Sequence, residues 1–152
     1  MDVTRDDPRR DDVVALLLEH LADMHAESPP DSVHALEVDA LVDPRITFVT
    51  SREDGVLLGC GALKELSADH GEIKSMRTTH AARGRGVAAA VLGWLLEEAR
   101  RRELVRVSLE TGTQDYFLSA VRLYQRHGFV DCGPFGDYRL DPHSRFMMIE
   151  LR

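Results

Sequence analysis

Three stretches of the 152-residue sequence combine residue types and spacing that can do chemistry: RGRGVA at 83–88, GEIKSMRTT at 71–79 and GPFGDYRLDPHSRF at 133–146. In the first, Gly84 and Gly86 can take positive φ and leave the backbone bare, Arg83 and Arg85 add positive charge, and an apolar run begins at Val87. A turn that opens a helix there leaves the first backbone N–H groups without carbonyl partners. Unpartnered N–H groups beside arginines make an anion site, and a pyrophosphate is its natural guest. The same six residues also suit a plain strand-to-helix turn with exposed arginines, and alone they do not choose between the two. GRGVAA formally matches the dinucleotide fingerprint, but an antiparallel hairpin precedes it and no repeated β-α units follow. The phosphate loop GxxxxGK[ST] does not occur.

In the second stretch, Glu72 and Lys74 share one face of an expected strand and Ile73 takes the other. A polar face near the middle of a sheet is the wall of a cleft or an exposed ion pair. In the third, aromatics alternate with charges in a turn-rich segment, and loops on a rigid scaffold often carry binding residues. Phe135, Tyr138, Arg139 and Arg145 are the candidates there, with an arginine available to read a carboxylate; an ordinary surface loop would look the same. The seven histidines show no HxH or HExxH spacing, which argues against a metal centre, and GxSxG is absent. Cys60 and Cys132 lack CxxC spacing and read as reduced, partly buried thiols.

The surrounding elements must position these groups. Val13, Val14, Leu17, Leu21 and Met24 recur at helical spacing between Asp11 and Glu27, ahead of Pro29-Pro30. Ser32 can cap a second helix through Leu41, stopped before Pro44. Ile46–Thr50 and Val56–Leu66 flank an Asp-Gly turn and predict a hairpin, followed by a strand over 71–79. Val87, Val91, Leu92, Leu95 and Ala99 stripe a helix over 86–102, whose arginines at 100–102 suit the negative end of its dipole. LVRVSLE at 104–110 alternates with period two, so a right-handed β-α-β crossover joins it to the strand before the turn. A helix over 116–127 stopped by Gly128 and two last strands, FVDC and FMMIELR, complete an α/β fold with a mixed sheet and no internal repeat.

The length fits a single domain over 1–152. A formal charge of -7, from 19 Lys and Arg against 26 Asp and Glu, argues against nucleic acid and anionic membrane as partners. No apolar run reaches membrane-spanning length, and the charged start MDVTRDDPRRDDVV has no secretory apolar core, so a cytoplasmic location is expected. Exposed β-edges near the C-terminus would allow a homodimer.

Arg83 to Ala88 resembles the Q/R-x-x-G-x-G/A signature of the GNAT superfamily of acyl-CoA-dependent N-acetyltransferases. The resemblance extends over nearly the whole chain: GCGAL at 59–63, EIKSM at 72–76, the turn and its helix, LETG at 109–112 and AVRLYQRHGF at 120–129. A small single-domain bacterial branch with EIK-x-M and PFG-x-Y is the most similar. The resemblance implies a mostly antiparallel sheet whose central strands splay apart to admit acetyl-CoA. It implies that Met76 and Thr78 offer backbone groups to the pantetheine arm and thioester, and that Arg83, Gly84, Arg85, Gly86, Val87 and Ala88 wrap the pyrophosphate. Tyr124 matches the tyrosine that such enzymes set beside the CoA sulfur as general acid; a helix tyrosine packed on the sheet is the alternative. Glu72 becomes the candidate base for the acceptor amine, with Glu110 in reserve. Phe117 stands where the family often has an Asn on the pantetheine arm, leaving Ser119 or Thr111 to replace that contact. The expected activity is direct acetyl transfer to an amine, of a small molecule or else of a peptide or protein. A non-catalytic acyl-CoA-binding or sensor module is the other reading.

Overall fold

The structure, a computed structural model, describes residues 1–27 and 38–152. Its elements in chain order are β1 (Asp2–Arg5), α1 (Asp11–Glu27), β2 (Ile46–Glu53), β3 (Val56–Glu65), β4 (His70–Thr78), α2 (Val87–Arg101), β5 (Arg106–Gly112), α3 (Leu118–Arg126), β6 (Val130–Cys132) and β7 (Ser144–Glu150). The expected helix from Ser32 lies mostly outside the described residues; its end, Val38–Val42, is a 3-10 turn that buries Leu41. β1 was not expected, because four residues with two charges carry little strand signal, yet it pairs antiparallel with β2 from Asp2↔Arg52 to Arg5↔Val49.

The seven strands form one sheet in the order β1-β2-β3-β4-β5-β7-β6, antiparallel everywhere except between β4 and β5. Asp54 and Gly55 turn the β2–β3 hairpin with φ of 52° and 80°, the positive pair that a two-residue turn needs. β7 enters between β5 and β6, so the short β6 forms one edge of the sheet.

Apolar residues divide the sheet into two cores. Val13, Leu16 and Leu17 of α1 pack with Phe48, Leu57, Cys60 and Ala62 on one face. Val87, Val91, Leu92, Leu95 and Leu96 of α2 and Val121, Leu123 and Tyr124 of α3 pack with Val49, Leu63, Ile73, Val107 and Leu109 on the other. Two glycines of β3 set how near α2 can come: a Cβ on Gly59 would stand 2.7 Å from Val87 Cγ1 and 2.8 Å from the Arg77 carbonyl oxygen, and one on Gly61 would stand 2.7 Å from Val91 Cγ1. The Gly-Cys-Gly stretch therefore seats the first turn of α2 directly on the sheet.

Pairing between β4 and β5 is brief. His70–Ile73 lie against Arg106–Leu109, after which β4 runs on to Thr78 and β5 to Gly112 without pairing to each other. On its other side β4 carries a bulge: Cys60 faces Arg77 and Ala62 faces Lys74, so Ser75 and Met76 together oppose Gly61. Ser75 takes φ 57° to make this bend. The two central strands thus part, as the splayed sheet of the resemblance requires.

Candidate active site

A cavity of about 630 Å³ is lined by both parting strands, Glu72–Thr78 of β4 and Glu110–Thr111 of β5, and by the first turn of α2, by α3, and by His20 of α1. Glu72, Lys74, Met76, Thr78, Arg83, Gly84, Gly86, Val87, Ala88, Tyr124 and Tyr138 all border it. Those residues fall into three zones.

At one end the turn before α2 has Gly84 and Gly86 at φ 79° and 80°, a conformation that L side chains rarely adopt. A Cβ at either would meet nothing within 4 Å, so the backbone there faces open space. α2 begins at Val87 with no side chain capping its N-terminus, and its first N–H groups are left for a ligand. Arg83 borders this end and is exposed. Arg85 does not line the cavity; its Nη2 donates to Glu53 Oε2 at 2.5 Å, at the hairpin between β2 and β3.

In the middle lies Tyr124, 7% exposed, with its ring 5.7 Å from that of Phe129. Burial raises its hydroxyl to about 12, so it stays protonated at neutral pH. Phe117 lines the cavity and packs on Gly112, where a Cβ would fall 2.2 Å from the ring. Ser119 and Thr111 line the same wall.

At the other end three residues close a hydrogen-bonded triangle. Tyr138 donates its hydroxyl to Glu72 Oε2 at 2.6 Å, and Lys74 Nζ donates to the same Oε2 and to the Tyr138 oxygen, both at 2.9 Å. The Glu72 and Lys74 side chains are 4% and 9% exposed. Burial, then the neighbouring Glu72 carboxylate, pushes the Tyr138 phenol far up, which keeps it a donor. Glu110 also borders the cavity and accepts from Ser144 Oγ at 2.7 Å. Phe135 backs this group, with ring centroids 5.1 Å from Tyr138, 5.8 Å from His70 and 6.0 Å from Phe146.

Two of the expected arginines stand elsewhere. Arg145 is held by Asp131, Nε to Oδ1 at 2.6 Å and Nη2 to Oδ2 at 3.0 Å, and Arg139 is exposed; neither lines the cavity. The alternation that drew attention to the segment reflects Tyr138 turned inward and its charged neighbours turned to solvent.

Sequence reasoning passed over a second polar group. Arg77 of β4, 8% exposed, donates from Nη1 to the Tyr116 hydroxyl at 2.9 Å, and from Nη2 to Glu19 Oε1 at 2.9 Å and to Asp23 Oδ2. Glu19 and Asp23 sit four apart on α1, which places them on one helix face; that spacing was the available signal. His80 Nε2 reaches Glu19 at 2.8 Å, and Glu19, Asp23 and His80 bring one ligand atom each within 4.8 Å of one another, a grouping that the histidine spacing did not show. The Arg77 guanidinium already supplies positive charge to both carboxylates. Beside Arg77, His20 borders the cavity; burial and then the Arg77 charge lower it to about 4, so it is a neutral imidazole at pH 7. Its Nδ1 is buried with no hydrogen-bond partner.

Comparison with known proteins agrees with this geometry. Residues 13–129 match the acetyltransferase (GNAT) family. The chain is 49% identical to the "Uncharacterized N-acetyltransferase YedL" of Escherichia coli over 149 residues, 98% of this chain and 94% of that one. It is 37% identical to the "IAA acetyltransferase" of Azospirillum brasilense, over 95% of this chain and 94% of that one. Among solved structures, a putative acyl-CoA N-acyltransferase from Klebsiella pneumoniae superposes with a TM-score of 0.81 at 26% identity, covering 99% of this chain and 97% of that chain.

Proposed function

The chain belongs to the GNAT acetyltransferase family, and from that premise we propose that it acts as one domain to move an acetyl group from acetyl-CoA directly to a primary amine of a small molecule, through a ternary complex. One observation carries this reading: the glycine turn at the start of α2, a buried protonated phenol and a buried carboxylate all border one cavity, which opens where β4 and β5 part.

Acetyl-CoA fits the open end of this cavity, and it would supply the activated acetyl group as a thioester. The bare backbone at Gly84 and Gly86, the N–H groups that open α2 at Val87 and Ala88, and Arg83 hold its diphosphate. Arg85 joins them by exchanging its exposed Glu53 partner for phosphate. Met76, the second residue of the bulge, turns its N–H toward the thioester oxygen, where it stabilises the charge that develops on attack. Thr78 offers backbone groups to the pantetheine arm, and Ser119 and Thr111 provide polar contacts along the wall that Phe117 leaves apolar.

The amine must be neutral to attack, and the departing thiolate gains from a proton. Glu72 takes the amine proton, directly or through a water, while Lys74 and Tyr138 hold its carboxylate in place. Tyr124 hands its proton to the sulfur; a hydroxyl raised to about 12 keeps that proton throughout the neutral range. The test is thiol release from acetyl-CoA across amines, with Tyr124→Phe alongside and acetyl-CoA binding followed by calorimetry. Amine-dependent turnover that drops in the variant while binding persists is expected. Tight binding with no turnover on any amine would favour a non-catalytic acyl-CoA sensor instead.

A further inference from the structure

The two glycines of GCGAL seat α2 on the sheet, but the cysteine between them faces the other way. Cys60 is 1% exposed, packs in the core beneath α1 and lies opposite Arg77 across the β3–β4 ladder. Its Sγ donates to the Ser75 carbonyl oxygen at 3.3 Å, and the backbone N–H of Arg77 faces the same sulfur. Ser75 and Arg77 are the neighbours of Met76 in the chain, so the thiol touches the backbone on both sides of that residue. Burial raises the thiol to about 12, which keeps its proton available to the carbonyl at neutral pH.

The Ser75 carbonyl and the Met76 N–H belong to one peptide unit. No peptide bond among the described residues is cis, and a trans peptide is planar with its C=O and N–H on opposite edges. Whatever holds the oxygen therefore aims the N–H. β3 and β5 flank β4 on opposite sides, and the pairing of β4 with β5 ends at Ile73. An oxygen held from β3 leaves the N–H on the side where β5 parts and the cavity opens. The regular ladder does not impose this arrangement, because Ser75 and Met76 form the bulge and Ser75 takes φ 57°, a region that residues other than glycine rarely enter. From the opposite face the Met76 side chain covers Gly61, where a Cβ would stand 2.6 Å from Met76 Sδ and 2.7 Å from Val91 Cγ1. One peptide unit is thus clamped between a thiol on one face of the sheet and a bare glycine on the other.

We propose that Cys60 is a positioning residue for acetyl transfer: its thiol, bonded to the Ser75 carbonyl, holds the Ser75–Met76 peptide so that the Met76 N–H meets the thioester oxygen. The proposal rests on the acetyl-transfer reading above, in which that N–H stabilises the charge that develops on attack. Cys60 does not line the cavity and acts only through the peptide it holds. A serine hydroxyl in its place can donate in the same direction, whereas alanine and valine cannot; alanine leaves the core underfilled and valine fills it.

The test needs no acceptor amine. Infrared difference spectra of bound acetyl-CoA, carrying ¹³C at the acetyl carbonyl, report the hydrogen bond to the thioester directly: in the wild-type protein the C=O stretch should lie below that of free acetyl-CoA. Cys60→Ala and Cys60→Val should each lose about half or more of that lowering, and Cys60→Ser should keep most of it, with calorimetric affinity for acetyl-CoA within about twofold throughout. On any amine that supports turnover, kcat should fall about three- to tenfold in the alanine and valine variants while the KM for acetyl-CoA moves little. Thermal melts separate this role from packing. Serine puts a hydroxyl into an apolar core and should melt no higher than alanine, so recovery of the spectral shift by serine without recovery of Tm assigns the effect to the donor. If the alanine and valine variants give the wild-type stretch, Cys60 does not position the peptide and the transferase reading stands. If the wild-type protein binds acetyl-CoA with an unshifted stretch, the role given to Met76 falls and this inference with it. If acetyl-CoA does not bind at all, the transferase reading itself falls.

Discussion

Replacing Gly59 with alanine tests whether the close seat of α2 on β3 shapes the turn proposed to hold the diphosphate. The added Cβ would stand 2.7 Å from Val87 Cγ1 and 2.8 Å from the Arg77 carbonyl oxygen, against ordinary contacts of 3.4–4 Å. The carbonyl belongs to the neighbouring strand and cannot yield without disturbing the β3–β4 ladder, so relief must come from Val87 and with it the first turn of α2. Overpacking of this kind costs about 1–3 kcal/mol. For a chain of this size that corresponds to a fall in Tm of roughly 2–4 °C per kcal/mol. A shift of the helix N-terminus would also misalign the N–H groups proposed to hold the diphosphate, and loss of one or two charge-assisted hydrogen bonds should weaken acetyl-CoA binding by about tenfold or more. Gly93 supplies the control: it lies within α2, and a Cβ there meets nothing within 4 Å. Gly93→Ala should therefore stabilise the protein by about 0.5–1 kcal/mol through helix propensity and leave CoA affinity alone. Thermal melts and calorimetry on the two variants decide the matter. A Gly59→Ala protein with wild-type Tm and wild-type affinity would refute the argument that this glycine sets the turn.

Other expectations follow from the site and from the core. Tyr124→Phe should lower kcat by about 10²–10⁴-fold with little change in acetyl-CoA affinity, measured by steady-state kinetics beside calorimetry. Because burial raises the Tyr124 hydroxyl from 10.0 to about 12, tyrosine ionisation should produce no alkaline fall in kcat up to pH 10. Tyr138→Phe removes one of two donors on Glu72 Oε2 and should lower kcat/KM by about tenfold while the fold, followed by circular dichroism, persists. Glu98, 4% exposed, is raised by burial, but hydrogen bonds from Arg101 and Arg102 together outweigh that and hold it at about 2, against an ordinary 4.5. Its contribution is thus full above pH 4.5 and disappears as the pH falls toward 2; with Arg101 69% exposed, screening reduces it to about 1–2 kcal/mol, and Glu98→Gln should flatten the stability profile in that window.

The fold was legible where one element carries its own pattern. The stripe Val87, Val91, Leu92, Leu95, Ala99 marks α2 to within a residue at each end, and Asp54-Gly55 marks the hairpin. β1 escaped because its strand character comes from pairing with β2, and Leu104 was read as strand because its burial beneath the turn after α2, where Glu103 takes φ 61°, imitates alternation. The glycine turn before α2 was legible for the same reason as α2: glycine at positive φ followed by a helix start is a local property of six residues. Arg77, His20 and the triangle of Glu72, Lys74 and Tyr138 were legible only as residue types. Apart from the adjacent Glu72 and Lys74, their partners lie 39 to 66 residues away in sequence, and only the packing of α1, the turn before α3 and the 133–146 segment against β4 brings them together.

That contrast has a functional consequence. The end of the cavity proposed for the cofactor is built from backbone conformation, which glycines and one helix start specify with little help from the rest of the chain. The acceptor end is built from side chains contributed by α1, β4, β5 and the loop before β7, each placed by a different packing contact. Substitutions on α1 or in that loop can then alter which amine enters without disturbing how acetyl-CoA is held. Lys74→Met puts this to use: it removes one of the two donors on Glu72 Oε2 inside the cavity, which should change turnover by amounts that differ from one amine to the next, while the calorimetric affinity for CoA stays within about twofold. Equal loss on all amines together with weakened CoA binding would instead show that the two ends are mechanically coupled through β4.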